Sequence, residues 1–105
     1  MKVYRARRDP KRPAMHPGRL LREEILPAAG KTQAEIAKML GVSRQTLNLI
    51  LQERQAVTAE MAVLLGKLFG NGPALWLNLQ RAYDLWHAEK RLAARVARIR
   101  TLKAA

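Results

Sequence analysis

Residues 33–52 read QAEIAKMLGVSRQTLNLILQ, and this stretch decides the fold. At the helical period of about 3.6 residues its apolar positions form two short faces. Ile36, Ala37 and Leu40 stand before Gly41, and Leu47, Ile50 and Leu51 stand after it. The residues between are those that a tight connection between helices needs. Gly41 can take the left-handed conformation that ends a helix. Val42 plugs the core beneath the turn, and Ser43, the only serine in the chain, stands where the next helix needs an N-cap. Ala37 is small enough to let the two helices approach closely. Upstream, Thr32-Gln33-Ala34-Glu35 is a capping box, in which the Thr32 hydroxyl accepts from the Glu35 amide while the Glu35 carboxylate reaches back. One helix should therefore begin at Gln33 and stop at Gly41, and the next should run from Arg44 to about Gln52.

Working outward, the chain has 105 residues, with 20 Lys and Arg against 8 Asp and Glu, a net charge of +12. That length leaves room for one domain with a core of modest size and excludes a second, catalytic domain. A pI near 11.4 makes polyanions the first partners to consider. The absence of Cys removes disulfides and thiolate metal sites, and with only His16 and His87 present neither a metal nor a cofactor is expected. The basic N-terminus lacks the apolar run of a secretory signal, and no stretch approaches the length of a membrane span. A soluble cytoplasmic protein is expected.

The first fifteen residues carry six basic side chains and two prolines without apolar periodicity. They form a flexible arm, either a solvated tail or an arm that touches phosphate. Order should begin at His16-Pro17, with Leu20, Leu21 and Ile25 on one face and Pro27 stopping the helix. Thr58 caps a fourth helix whose buried stripe is Met61, Leu64, Leu65 and Leu68. Gly70-Asn71-Gly72 is a turn, and Pro73 opens a fifth helix that holds Leu75, Trp76, Leu79, Tyr83 and Trp86. Its pattern extends as far as Leu102, a span of about 45 Å at 1.5 Å per residue, so its far end should project, bend or fray. No segment alternates with period two. The expectation is an all-α fold of five helices, with an arm over 1–15, a domain over 16–87 and a basic amphipathic extension over 88–105.

The pair of helices around Gly41 is a helix-turn-helix, whose second helix can enter a major groove while the first crosses the backbone. The segment resembles the XRE-like domains of phage-type repressors. The longer pattern of His16-Pro17-Gly18, Leu21 and Glu24, then Val57-Thr58, Glu60-Met61-Ala62 and Trp76-Leu77-Asn78-Leu79-Gln80 with Tyr83-Asp84-Leu85-Trp86, is similar to HigA-type antitoxins. The resemblance implies a five-helix bundle of the phage-repressor type with an extended C-terminal helix. It also implies a bacterial antitoxin that binds operator DNA as a homodimer, represses its own operon and pairs with a small mRNA-cleaving toxin. One position departs from the pattern: Glu53 follows the recognition helix where such domains usually have Gly.

Matching positions and helix geometry then give the candidate DNA-binding residues. Gln33 sits at the start of the first helix of the pair, where family members bond a phosphate with help from the helix N-terminus. Arg44, Gln45 and Asn48 lie on the exposed N-terminal face of the second, where Arg suits guanine and Gln or Asn suits adenine. Thr46 is placed to touch a phosphate or a thymine methyl, and Ser43 at the helix tip completes the set. His16 reads as a helix-start residue and not as a catalytic base, since no nucleophile or second base lies near it in sequence. Trp76, Tyr83 and Trp86 read as core or dimer contacts and not as a base-stacking platform. The tail has Leu92, Val96, Ile99 and Leu102 on one side, with Lys90, Arg91, Arg95, Arg98 and Arg100 around the remainder, which suits a partner helix, a toxin, nucleic acid or solvent.

Three functions follow: an antitoxin that is also an autorepressor, a phage-type regulator with no toxin, and a small basic ribonuclease. The last needs a cluster of acid-base groups and strand-period segments, and the sequence has neither. The expectation is a DNA-binding protein and not an enzyme.

Overall fold

The computed structural model describes residues 12–103, and every regular element among them is helical. The basic arm expected over 1–15 lies outside the described residues as far as residue 11. Apolar packing reaches slightly ahead of His16, where Ala14 is buried and Met15 packs against the core.

Five helices follow one another. The first, α1, spans residues 17–29 as Pro17–Leu20, a π-helical stretch Leu21–Ile25 and a last turn Leu26–Ala29. Pro27 thus sits inside the helix and does not stop it, contrary to the sequence expectation. A proline ring clashes with the carbonyl four residues back. The wider π-helical turn just before it relieves that clash, and the helix ends at Gly30, whose φ is 64°.

α2 (Gln33–Leu40) and α3 (Arg44–Leu51) form the pair read from the sequence. Both halves of the Thr32 capping box are made, at 3.1 Å from the Glu35 amide and 3.0 Å to the Glu35 carboxylate. Those bonds to Thr32 hold the Glu35 carboxyl below its ordinary range. At Gly41 φ is 74°, and the Gly41 and Val42 amides bond back to the Lys38 and Ala37 carbonyls, closing the helix end in a Schellman arrangement.

α4 (Ala59–Phe69) is capped by Thr58, and α5 (Pro73–Ala97) is the longest element. α4 buries Met61, Ala62, Leu65 and Gly66, while Leu64 is 39% exposed and Leu68 only half-buried. The expected stripe is therefore rotated towards the small residues. Its cause is the close passage of the start of α5, since a Cβ on Gly66 would collide with the Gly72-Pro73 backbone. α5 ends at Ala97, short of Leu102, where the Arg98 amide bonds to the Arg95 carbonyl. Its 25 residues are about 37 Å long, and the molecule measures 52 Å along its long axis.

The core joins Leu20 and Leu21 of α1, Ile36 and Leu40 of α2, Leu47 and Ile50 of α3, Leu65 of α4 and Trp76 of α5. Trp76 is wholly buried and its indole N–H donates to Asn71 Oδ1 at 2.9 Å. Tyr83 is half-buried and meets His16 edge-on, with ring centroids 4.8 Å apart. α1 and α3 touch where Gly18 passes the Ile50 carbonyl, at a separation that no side chain could share. Among the described residues no helix is long and apolar enough to cross a membrane.

Candidate nucleic-acid interface

α3 turns Leu47, Ile50 and Leu51 into the core. At about 100° per residue this leaves 44, 45 and 48 on the outward side. Arg44 and Gln45 are exposed and Asn48 is half-buried. Gln33, in the first turn of α2, donates from Nε2 to Asn48 Oδ1 at 3.3 Å. The structure brings Gln33, Arg44, Gln45 and Asn48 around one open depression. The capping box and the Gly41 turn hold the two helices in the relation that creates it.

Ser43 and Thr46 form a second unit at the tip of α3. The Ser43 hydroxyl accepts from the Thr46 amide at 3.0 Å and donates to Thr46 Oγ1 at 2.9 Å. Ser43 is thus committed to capping, while the Thr46 hydroxyl keeps its own proton for an acceptor such as a phosphate oxygen. Around the depression the groups offer a guanidinium and three side-chain amides. These are the donor and acceptor patterns that match the edges of guanine and adenine.

Charge is distributed unevenly around this site. Residues 16–87 hold eight basic and six acidic side chains, whereas 1–15 and 88–105 each hold six basic and one acidic. The excess positive charge therefore lies in the two ends, and the depression sits in a nearly neutral domain.

The turn after α3 is the feature that sequence reasoning placed least well. Glu53 adopts φ 61°, the only positive φ outside glycine among the described residues. The Glu53 and Arg54 amides bond to the Ile50 and Leu49 carbonyls, so the backbone makes the same Schellman closure that a glycine would make. Arg22 of α1 holds it in place. Its guanidinium donates to the Leu51 carbonyl at 2.6 Å and to the Glu53 carboxylate at 3.2 Å. Nothing local in the sequence marks a partner 31 residues away.

Two further buried polar residues hold the elements around the helix pair. Gln80 is buried, accepts from the Val57 amide at 2.8 Å and donates to Asp84 at 2.9 Å, which ties the loop after α3 to α5. A polar residue four positions after buried Trp76, on the same helical face, is the signal that could have found it. His16 caps α1, accepting from the Gly18 amide through Nδ1 at 2.9 Å. Burial pushes its imidazole below the ordinary value, against the opposing pull of Glu53 and Asp84 and a hydrogen bond with the Gln55 backbone.

The helix-turn-helix family profile matches residues 21–77. The chain belongs to the helix-turn-helix family. This helix-turn-helix protein is of the XRE type, and HigA-type antitoxins are among its kin. It is 45% identical over 78 residues to virulence-associated protein I of Dichelobacter nodosus, covering 74% of this chain and 72% of that one. The structure of antitoxin GraA in complex with its operator superposes with a TM-score of 0.82 at 40% identity, covering 92% of this chain and 98% of the other. Pseudomonas aeruginosa antitoxin HigA with the higBA promoter gives a TM-score of 0.81 at 34% identity, covering 86% and 99%.

Proposed function

We propose that this helix-turn-helix protein is an operator-binding antitoxin that represses its own operon in the bacterial cytoplasm and neutralises a small mRNA-cleaving toxin. Two copies bind a two-fold related operator, because one recognition helix spans too few base pairs to select a site alone. In each copy Arg44 and Gln45 read base edges, with Asn48 beside them. Gln33 holds a phosphate at the start of α2, and Thr46 adds a second phosphate or thymine contact. Ser43 acts through the cap that aims these side chains.

The observation that supports this most is the convergence of Gln33, Arg44, Gln45 and Asn48 on one open depression. It occurs in a fold whose neighbours include an antitoxin seen with its operator. The reading assigns the chain no catalytic step. Its toxin half has a direct test: co-expression with the reading frame next to its gene. Co-purification of a small ribonuclease whose mRNA cleavage stops on binding is the expected outcome. A chain that binds its operator but captures no neighbouring product is a regulator without a toxin.

A further inference from the structure

The last turn of α3 is closed from outside its own helix. A helix leaves its final four carbonyls without partners inside it. In α3 these belong to Asn48, Leu49, Ile50 and Leu51. The Gln52, Arg54 and Glu53 amides bond to the first three, and the Leu51 carbonyl receives the Arg22 guanidinium of α1 at 2.6 Å. Arg22 is itself held by two carboxylates, Glu23 at 3.0 Å and Glu53 at 3.2 Å. Of these only Glu53 comes from the far side of the junction between α1 and α3.

Stability does not account for Glu53. The Arg22 and Glu53 side chains are 42% and 31% exposed, and an ion pair so placed contributes little. A φ of 61° costs a residue with a Cβ more than that pair returns, and glycine would avoid the cost. A strained backbone that persists without a gain in stability points to a use elsewhere. The turn that it closes carries Asn48, which lines the outward depression with Arg44 and Gln45.

We infer that Glu53 and Arg22 are positioning residues for operator recognition: Glu53 aims the Arg22 guanidinium at the Leu51 carbonyl, and that contact sets the end of α3 and with it the Asn48 amide beside the base edges. The inference rests on the operator-binding reading above. α3 is only eight residues long, and its first turn is fixed by the Ser43 cap. A small tilt at its far end therefore moves Asn48 more than Arg44 or Gln45. α1 is a firm base for the contact, because Gly18 passes against the Ile50 carbonyl in the same turn of α3.

The test is the ratio of operator to scrambled-duplex affinity for each variant, with its thermal unfolding midpoint measured alongside. Glu53→Gly separates positioning from stability, because it relieves the strained φ and removes the carboxylate together. Its midpoint should rise while its ratio falls by about threefold or more. Arg22→Met, which also loses the Leu51 contact, should lower the ratio by about tenfold or more at temperatures where circular dichroism shows it folded. The conservative Glu53→Gln keeps an acceptor for Arg22 without the charge. It should tighten both duplexes alike and preserve the ratio, which isolates geometry from charge. A glycine variant that is more stable and as selective as the unaltered protein would overturn the inference. A ratio that falls only in step with the midpoint would also overturn it, since a merely structural contact gives that result. An unaltered protein with no preference for operator would overturn the operator-binding reading itself, and this inference with it.

Discussion

Gln33 Nε2 lies 3.3 Å from Asn48 Oδ1, so the first turn of α2 is joined to the outward face of α3. In the proposed function this bond couples the residue assigned to a phosphate to one assigned beside the base edges. It also gives the Asn48 carbonyl oxygen one of its two hydrogen bonds. The pair should act as a unit. Gln33→Ala and Asn48→Ala together are expected to weaken operator binding by an amount that departs from the sum of the single changes by about 0.5 kcal/mol or more. Isothermal titration of the four proteins measures this, and strict additivity would show that the bond has no part in recognition.

The turn after α3 carries a second prediction. Glu53 adopts φ 61°, a conformation that costs a residue with a side chain about 1–2 kcal/mol relative to glycine. Glu53→Gly should therefore keep the Schellman closure and raise the midpoint of thermal unfolding, even though Arg22 loses one of its carboxylate partners. Glu53→Val should lower it, because a β-branched residue fits this region worst. A lower midpoint for the glycine variant would mean that the Arg22 contact outweighs the backbone strain.

The helix pair shows how much of the fold is legible in the chain. The capping box at Thr32, the caps at Ser43 and Thr58 and the turn at Gly41 each depend on residues within a few positions, and all were readable. What was not readable depends on distant packing. Pro27 is accommodated by a π-helical turn, and Leu64 is rotated outward by the passage of α5 against Gly66. At the site, positions 44, 45 and 48 follow from helical phase, whereas the Gln33–Asn48 bond and the Arg22 clamp join residues 15 and 31 apart. Periodicity places a residue on a face, but it does not say what that face meets.

His16 gives a pH prediction. Its imidazole titrates below the ordinary value in the folded chain because burial disfavours its charged form. The unfolded chain therefore takes up the proton first, near the ordinary histidine value of about 6.5. The stability tied to neutral His16 is complete above that pH and is lost as pH falls from there towards the lower folded value. His16→Asn, which can still cap α1, should flatten the fall in unfolding midpoint between about pH 7 and pH 5. An equally steep fall in the variant would place the titrating group elsewhere.

Close approach makes Gly18 the most sensitive position of α1. Its Cα passes the Ile50 carbonyl with no room for a methyl group. Gly18→Ala should push α1 off α3, with a loss of about 1–3 kcal/mol typical of overpacked contacts, measurable by urea unfolding. Gly30→Ala, in open space but at φ 64°, should cost only about 1 kcal/mol. A cost no larger than that at Gly30 would mean that α1 shifts to make room for the methyl group and that the crowding is relieved cheaply.

The central claim is that Arg44 and Gln45 read bases while the charged ends supply affinity of a general kind. The direct measurement is titration of Arg44→Ala and Gln45→Ala with operator and with scrambled duplex at several salt concentrations, with circular dichroism confirming the fold. Each variant should lose about 1–3 kcal/mol for the operator and much less for scrambled DNA. By contrast, replacing Lys or Arg in the first twelve residues should weaken both duplexes alike and lower the salt slope by about one unit per lost contact. If the Arg44 and Gln45 variants instead lose both affinities equally, these residues hold phosphate, and the placement of α3 in the groove is wrong.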